Sequence, residues 1–86
     1  MDIEGFHQFV RQAAESRKVV RFDYTKKDGT RDTYIVEPYE IREDGFWARK
    51  VNEIPPKGIR KFFIENIENL VMLEATYDPI WPIKII

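Results

Sequence analysis

From Lys18 to Tyr24 the apolar residues of this chain recur at every second position, and polar turns cut the sequence that follows into runs short enough to be strands. Val20, Phe22 and Tyr24 share one side of the first run, with Arg21 and Asp23 on the other. Lys26, Lys27, Asp28 and Gly29 make a polar turn whose Asp-Gly pair suits a hairpin with positive φ. A second strand runs from Thr30 or Arg31 to Glu37. Pro38 has no amide proton, so it marks a strand end, an edge or a bulge, after which residues 39–42 resume in a new direction. Glu43, Asp44 and Gly45 reverse the chain into a third strand at 46–51, and residues 53–58, with Pro55 and Pro56, read as an exposed, stiff loop. A fourth strand covers 59–64, a 3₁₀ turn suits the Ile-Glu-Asn repeat that starts at Ile64, and a fifth strand covers 70–77. No internal segment has room for a crossover helix, so the strands pair antiparallel.

Ahead of the strands, Phe6, Phe9, Val10 and Ala13 recur at helical spacing, Asp2 is placed to cap the start, and the helix ends near Ser16 or Arg17. About three turns are marginal in water, so the apolar stripe must lie against the sheet. With 86 residues the chain suffices for one domain. The expectation is a mainly β fold with an N-terminal helix: helix at about 3–16, a strongly bent five-stranded antiparallel sheet or barrel at about 18–77, and an extended tail at 78–86. Closure is favoured because it removes exposed edges, and the helix is placed to plug an open end.

The tail crowds Ile80, Trp81, Ile83, Ile85 and Ile86 together while Pro79 and Pro82 forbid a regular helix. Such a segment either lies across its own sheet or buries itself against a second copy, each fully buried Ile or Trp contributing about 1.5 to 3 kcal/mol.

Composition narrows the chemistry. Without cysteine there is no disulfide, thiol nucleophile or thiolate metal site, and one histidine, His7, cannot build a multi-histidine zinc site. The reading is of a protein without cofactor or metal. No P-loop, GxSxG, HExxH or glycine-rich dinucleotide fingerprint occurs, so the expectation is not an enzyme. His7 reads as a boundary or surface residue, and carboxylates such as Asp23, Glu37 and Glu40 do not amount to an acid/base pair. No apolar run reaches membrane length and no signal core opens the chain, which makes the cytoplasm the default location. Fourteen Lys and Arg against fifteen Asp and Glu give a net charge of −1, hence no global field toward nucleic acid. Residues 11–31 nevertheless hold seven basic side chains and three acidic ones, which a folded sheet either gathers into a patch or scatters.

The functional material is aromatic and basic. Tyr24, Tyr34, Tyr39, Phe46, Trp47, Phe62 and Phe63 lie on strands that also bear Arg31, Arg49 and Arg60. Rings beside arginines can stack bases and hold phosphates. Equally, rings build cores, and Phe22, Phe62 and at least one of Phe46 and Trp47 are read that way.

In order and spacing these pieces resemble the WYL domain, an Sm-like, SH3-like β-barrel module of bacterial transcriptional regulators and phage-defence proteins. The stretch FVRQAAESRKVVRFDY, ending at Tyr24, resembles the family's opening element. Lys27-Asp28-Gly29, then Arg31, then Val36-Glu37-Pro38 resemble its second, and Phe46-Trp47-Ala48 stands at the Trp-Tyr-Leu triplet. Residues 60–67, RKFFIENI, resemble its Arg-x-Phe-Arg-Leu-x-Arg-Ile segment, with Phe63 and Asn66 replacing the second and third arginines. The resemblance implies a ligand-sensing or regulatory module for nucleic acid or a nucleotide-like anionic effector, with Tyr24, Arg31, Trp47, Arg60 and Phe62 as ligand-binding residues and Phe62 also able to serve the core. The alternative is a protein-interaction or homo-oligomerisation module that uses Ile80, Trp81, Ile83, Ile85 and Ile86.

Overall fold

The computed structural model describes residues 2–51 and 58–84. Helix α1 (Ile3–Glu15) is capped by Asp2, whose Oδ1 accepts the Gly5 amide at 2.6 Å. Five strands follow: β1 (Lys18–Thr25), β2 (Arg31–Arg42), β3 (Gly45–Lys50), β4 (Arg60–Phe63) and β5 (Ile67–Thr76), with a 3₁₀ turn η1 (Ile64–Asn66) between the last two. The expected elements are present, with the fifth strand starting three residues before the predicted Leu70. Most of the expected loop at 53–58 lies outside the described residues.

The strands form one antiparallel sheet in the order β4-β3-β2-β1-β5. A flat sheet of this order would hold β4 and β5 about 19 Å apart, four strand spacings. The three residues of η1 join them, and a 3₁₀ turn advances only about 2 Å per residue. The sheet therefore curls until its outer strands approach. It does not close: the Phe63 amide is taken by the Tyr24 phenol oxygen at 3.1 Å instead of a β5 carbonyl, and η1 diverts the chain before a β4–β5 ladder forms. The expected barrel is thus an open, strongly bent sheet.

Two turns set the register. Gly29 adopts φ 88°, and Asp28 Oδ1 accepts from the Thr30 amide at 2.9 Å, closing the β1–β2 turn as the Asp-Gly pair predicts. At the β2–β3 turn, a Cβ on Gly45 would lie 2.0 Å from the Phe62 carbonyl oxygen, so only glycine allows β4 to approach.

Pro38 sits within a continuous β2 rather than ending it. Pairing with β3 shifts between Pro38↔Ala48 and Glu40↔Trp47, leaving Tyr39 as the bulged residue. The bulge changes the strand's phase, so Tyr34 and Val36 before it, and Ile41 after it, enter the same core. That core fills the concave side, where Phe6, Val10 and Ala13 of α1 meet Val20, Phe22, Tyr34, Val36, Phe46 and Phe62. The helix stripe is covered there, as its three-turn length requires.

A second, smaller cluster occupies the convex side: Val19, Tyr39 and Tyr77 with Ile35, Val51, Leu73, Trp81 and Ile83. The tail thus lies across its own sheet, the first of the two outcomes foreseen. Its docking place follows from strand lengths. β1 pairs with β2 only up to Val36, so the carbonyls beyond it need other donors. The Tyr77 hydroxyl donates to Pro38 O at 2.6 Å, the Lys84 amide to Tyr39 O at 2.7 Å, and His7 Nε2 to Arg42 O at 2.8 Å. The Tyr39 phenol accepts the Ile80 amide at 3.2 Å, and Tyr39 and Trp81 pack edge to face at 5.4 Å. Ile85 and Ile86 lie outside the described residues.

Beneath the tail, Glu37 is buried and accepts from Arg49 Nε at 3.0 Å and Nη2 at 2.8 Å, and from the Tyr39 hydroxyl at 2.9 Å. The carboxylate beside Arg49 raises the guanidinium above its ordinary value, and burial raises the Tyr39 phenol.

Candidate functional site

Register separates the sequence-predicted site residues. Tyr24 and Phe62 lie on the concave side with ring centroids 5.2 Å apart, edge to face. Phe62 is 4% exposed, packed against Phe22, Tyr34 and Phe46 as well, and belongs to the core. Arg31 pairs with Thr25 at the start of β2, and its guanidinium reaches Asp23 at 3.2 Å and Glu68 at 3.3 Å. Trp47 lies between the buried Phe46 and Ala48, so strand alternation turns it to the convex side opposite Lys61. Arg60 is an exposed residue opposite Ala48 at the start of β4. The structure thus brings Tyr24 to Phe62, and leaves Arg31 and Trp47 on the other face.

Arg31 belongs to a polar network on that face. Asp23 accepts from Thr33 at 2.7 Å, from Asn69 at 2.8 Å and from Arg31. These bonds, Thr33 foremost, hold its carboxyl down at about 2. Asn69 adopts φ 56° where β1 and β5 slip register, and its amide reaches Asp23 from that left-handed position. Among the seven basic side chains at 11–31, Lys18 is ion-paired with Glu74, Lys26 with Asp32 and Arg31 with Asp23 and Glu68, acids brought near by the fold.

A different set of residues converges. Where β1 leaves the sheet and β4 passes into η1, a cleft of about 420 Å³ is lined by Tyr24, Thr25, Lys26, Lys27, Phe63, Glu65 and Asn66. The Phe63–Tyr24 hydrogen bond ties its two walls together. Phe63 is 37% exposed, with the Lys61 ammonium 4.9 Å from its ring centroid. Lys26 is ion-paired with Asp32, whose hydrogen bond raises the ammonium above its ordinary value. Lys27 and Glu65 are exposed and have no ion pair among the described residues. The cleft therefore offers rings, a cation, a carboxylate and an amide to one ligand.

Of these residues, sequence reasoning singled out Tyr24 as a binder and named Phe63 among the strand rings able to stack bases. Phe63 and Asn66 stood in the sequence as replacements for family arginines, and Lys26 and Lys27 as turn residues. The available signal was that Phe63 and Asn66 both stand at positions where the family pattern carries an arginine.

Among the described residues no cluster of His, Asp or Glu is arranged to hold a metal, and no helix is long and apolar enough to cross a membrane. No curated protein and no solved structure matches the chain closely enough to count as a relative. A family match does exist: the WYL domain covers residues 6–72, from the α1 stripe through the cleft walls to the middle of β5. The chain belongs to the WYL domain family.

Proposed function

We propose that this chain is a non-catalytic regulatory module that senses a nucleic acid or nucleotide-like anionic effector in the cleft between Tyr24 and Phe63. WYL domains generally serve as regulatory modules that sense ligands or nucleic acid. The observation that carries the proposal here is a cleft in which an exposed ring, Phe63, shares the lining with Tyr24 and with the turn lysines Lys26 and Lys27. Rings hold bases by stacking worth about 1 to 3 kcal/mol each, and ammonium groups hold phosphates as point charges. In this reading Tyr24 fixes the wall and offers a ring edge, Phe62 supports it from the core, and Lys27 supplies the charge. Arg31, Trp47 and Arg60 stand outside the cleft lining. The curled sheet is read as Sm-like or SH3-like with an open ladder, acting in the cytoplasm.

The test is fluorescence anisotropy with a labelled short single-stranded oligonucleotide. Binding should weaken as salt rises, and Lys27→Ala should weaken it further and flatten the salt dependence. Absence of binding by the folded protein at low salt would refute the nucleic-acid form. A homo-oligomerisation module is the second reading, supported by Ile80, which stays 54% exposed while Trp81 and Ile83 are spent on the chain's own sheet.

A further inference from the structure

One wall of the cleft comes from a single turn. Phe63 precedes η1 as its N-cap, Glu65 lies in the first turn of η1, and Asn66 ends it. Phe63, Glu65 and Asn66 line the same cleft, so a flat ring stacked against Phe63 shares that lining with a carboxylate and an amide. A carboxylate can only accept hydrogen bonds. Among the common bases, guanine alone shows it two adjacent donors, N1–H and the N2 amino group. Adenine and cytosine place an acceptor nitrogen beside their single amino group, and uracil flanks its one N–H with two carbonyls, so each sets a lone pair against a carboxylate oxygen. The Asn66 amide supplies the donor that guanine O6 requires. Glu65 has no ion-pair partner among the described residues to divert it, and Lys27 stands on the opposite wall, from the β1–β2 turn, for a phosphate.

Resting on the cleft reading above, we infer that the site is selective for guanine, with Glu65 as the residue that reads the base, Asn66 as the donor to O6, and Phe63 as the stacking platform. The effector class is a guanine nucleotide, free or as one residue of a single strand. Selectivity comes from the edge and not from the phosphate, so it is separable from affinity.

Isothermal titration of the full chain with GMP, IMP and AMP tests this. IMP keeps N1–H and lacks the N2 amino group. GMP should bind about tenfold or more tighter than AMP, the size expected of charge-assisted hydrogen bonds, with IMP between them. Glu65→Gln should bring the GMP-to-AMP ratio close to one, with the circular dichroism spectrum unchanged because Glu65 is exposed. Lys27→Ala should weaken all three nucleotides by a similar factor. Equal binding of GMP and AMP that Lys27→Ala still weakens would overturn guanine selectivity and leave the cleft reading standing. Failure of all three to bind would overturn both.

Discussion

The backbone amide of Phe63 donates to the phenol oxygen of Tyr24 at 3.1 Å, joining the end of β4 to the end of β1 across a separation of 39 residues. These strands are not neighbours in the ladder, and the bond uses an amide at the end of the outer strand β4, whose pairing with β5 would be needed to close a barrel. It also fixes the spacing of the cleft walls, which links the shape of the fold to the shape of the site.

Tyr24→Phe keeps the ring contacts and removes that bond. Stability should fall by about 1 kcal/mol, measured by urea unfolding, because the Phe63 amide loses its partner near solvent. Oligonucleotide affinity should fall as well, since the walls are no longer tied.

Arg49→Met leaves the Glu37 carboxylate buried without its ion pair. Unfolding experiments should show a loss of about 3 to 5 kcal/mol, and the double variant Glu37→Leu with Arg49→Met should recover much of it, because removing both charges removes the desolvation cost. Recovery would show that the attraction within the pair does little more than offset the cost of burying it.

Acid sensitivity should carry a signature of Asp23. Its folded-state value of about 2 lies below the ordinary 3.8, so its contribution to stability is present above 3.8 and is lost as pH falls toward 2. Carboxyl NMR titration should give Asp23 a midpoint near that low value. Thr33→Val, which removes the leading hydrogen bond, should raise the midpoint.

Removing residues 78–86 uncovers Tyr39, Tyr77, Val19 and Leu73. The half-buried Trp81 and Ile83 together account for a loss of about 2 to 3 kcal/mol in thermal unfolding. Sedimentation should show the same mass per particle, corrected for the deletion, before and after truncation. A change from dimer to monomer would favour the oligomerisation reading.

Much of the fold was legible because alternation and turn chemistry are local. Val20, Phe22 and Tyr24 point as their spacing says, Gly29 takes its positive φ, and Pro38 stands beside the bulge at Tyr39. What escaped was set by pairing across the sheet. Arg31 and Trp47 are placed on the convex side by register and by their buried neighbours, and no local pattern relates that side to Tyr24. The tail's position depends on β1 being shorter than β2, which leaves carbonyls for Lys84 and Tyr77 to cover. Likewise, the cleft joins a turn and a 3₁₀ segment about forty residues apart in sequence, so its members read separately as a charged turn and two missing arginines.

The account stands most directly on where an effector touches the protein. Amide chemical shifts recorded during titration with a guanine-containing dinucleotide should move at Thr25, Lys26, Lys27, Phe63, Glu65 and Asn66, and stay still at Arg31 and Trp47. Shifts confined to the convex side around Arg31 and Trp47, or none at saturating concentration, would contradict it.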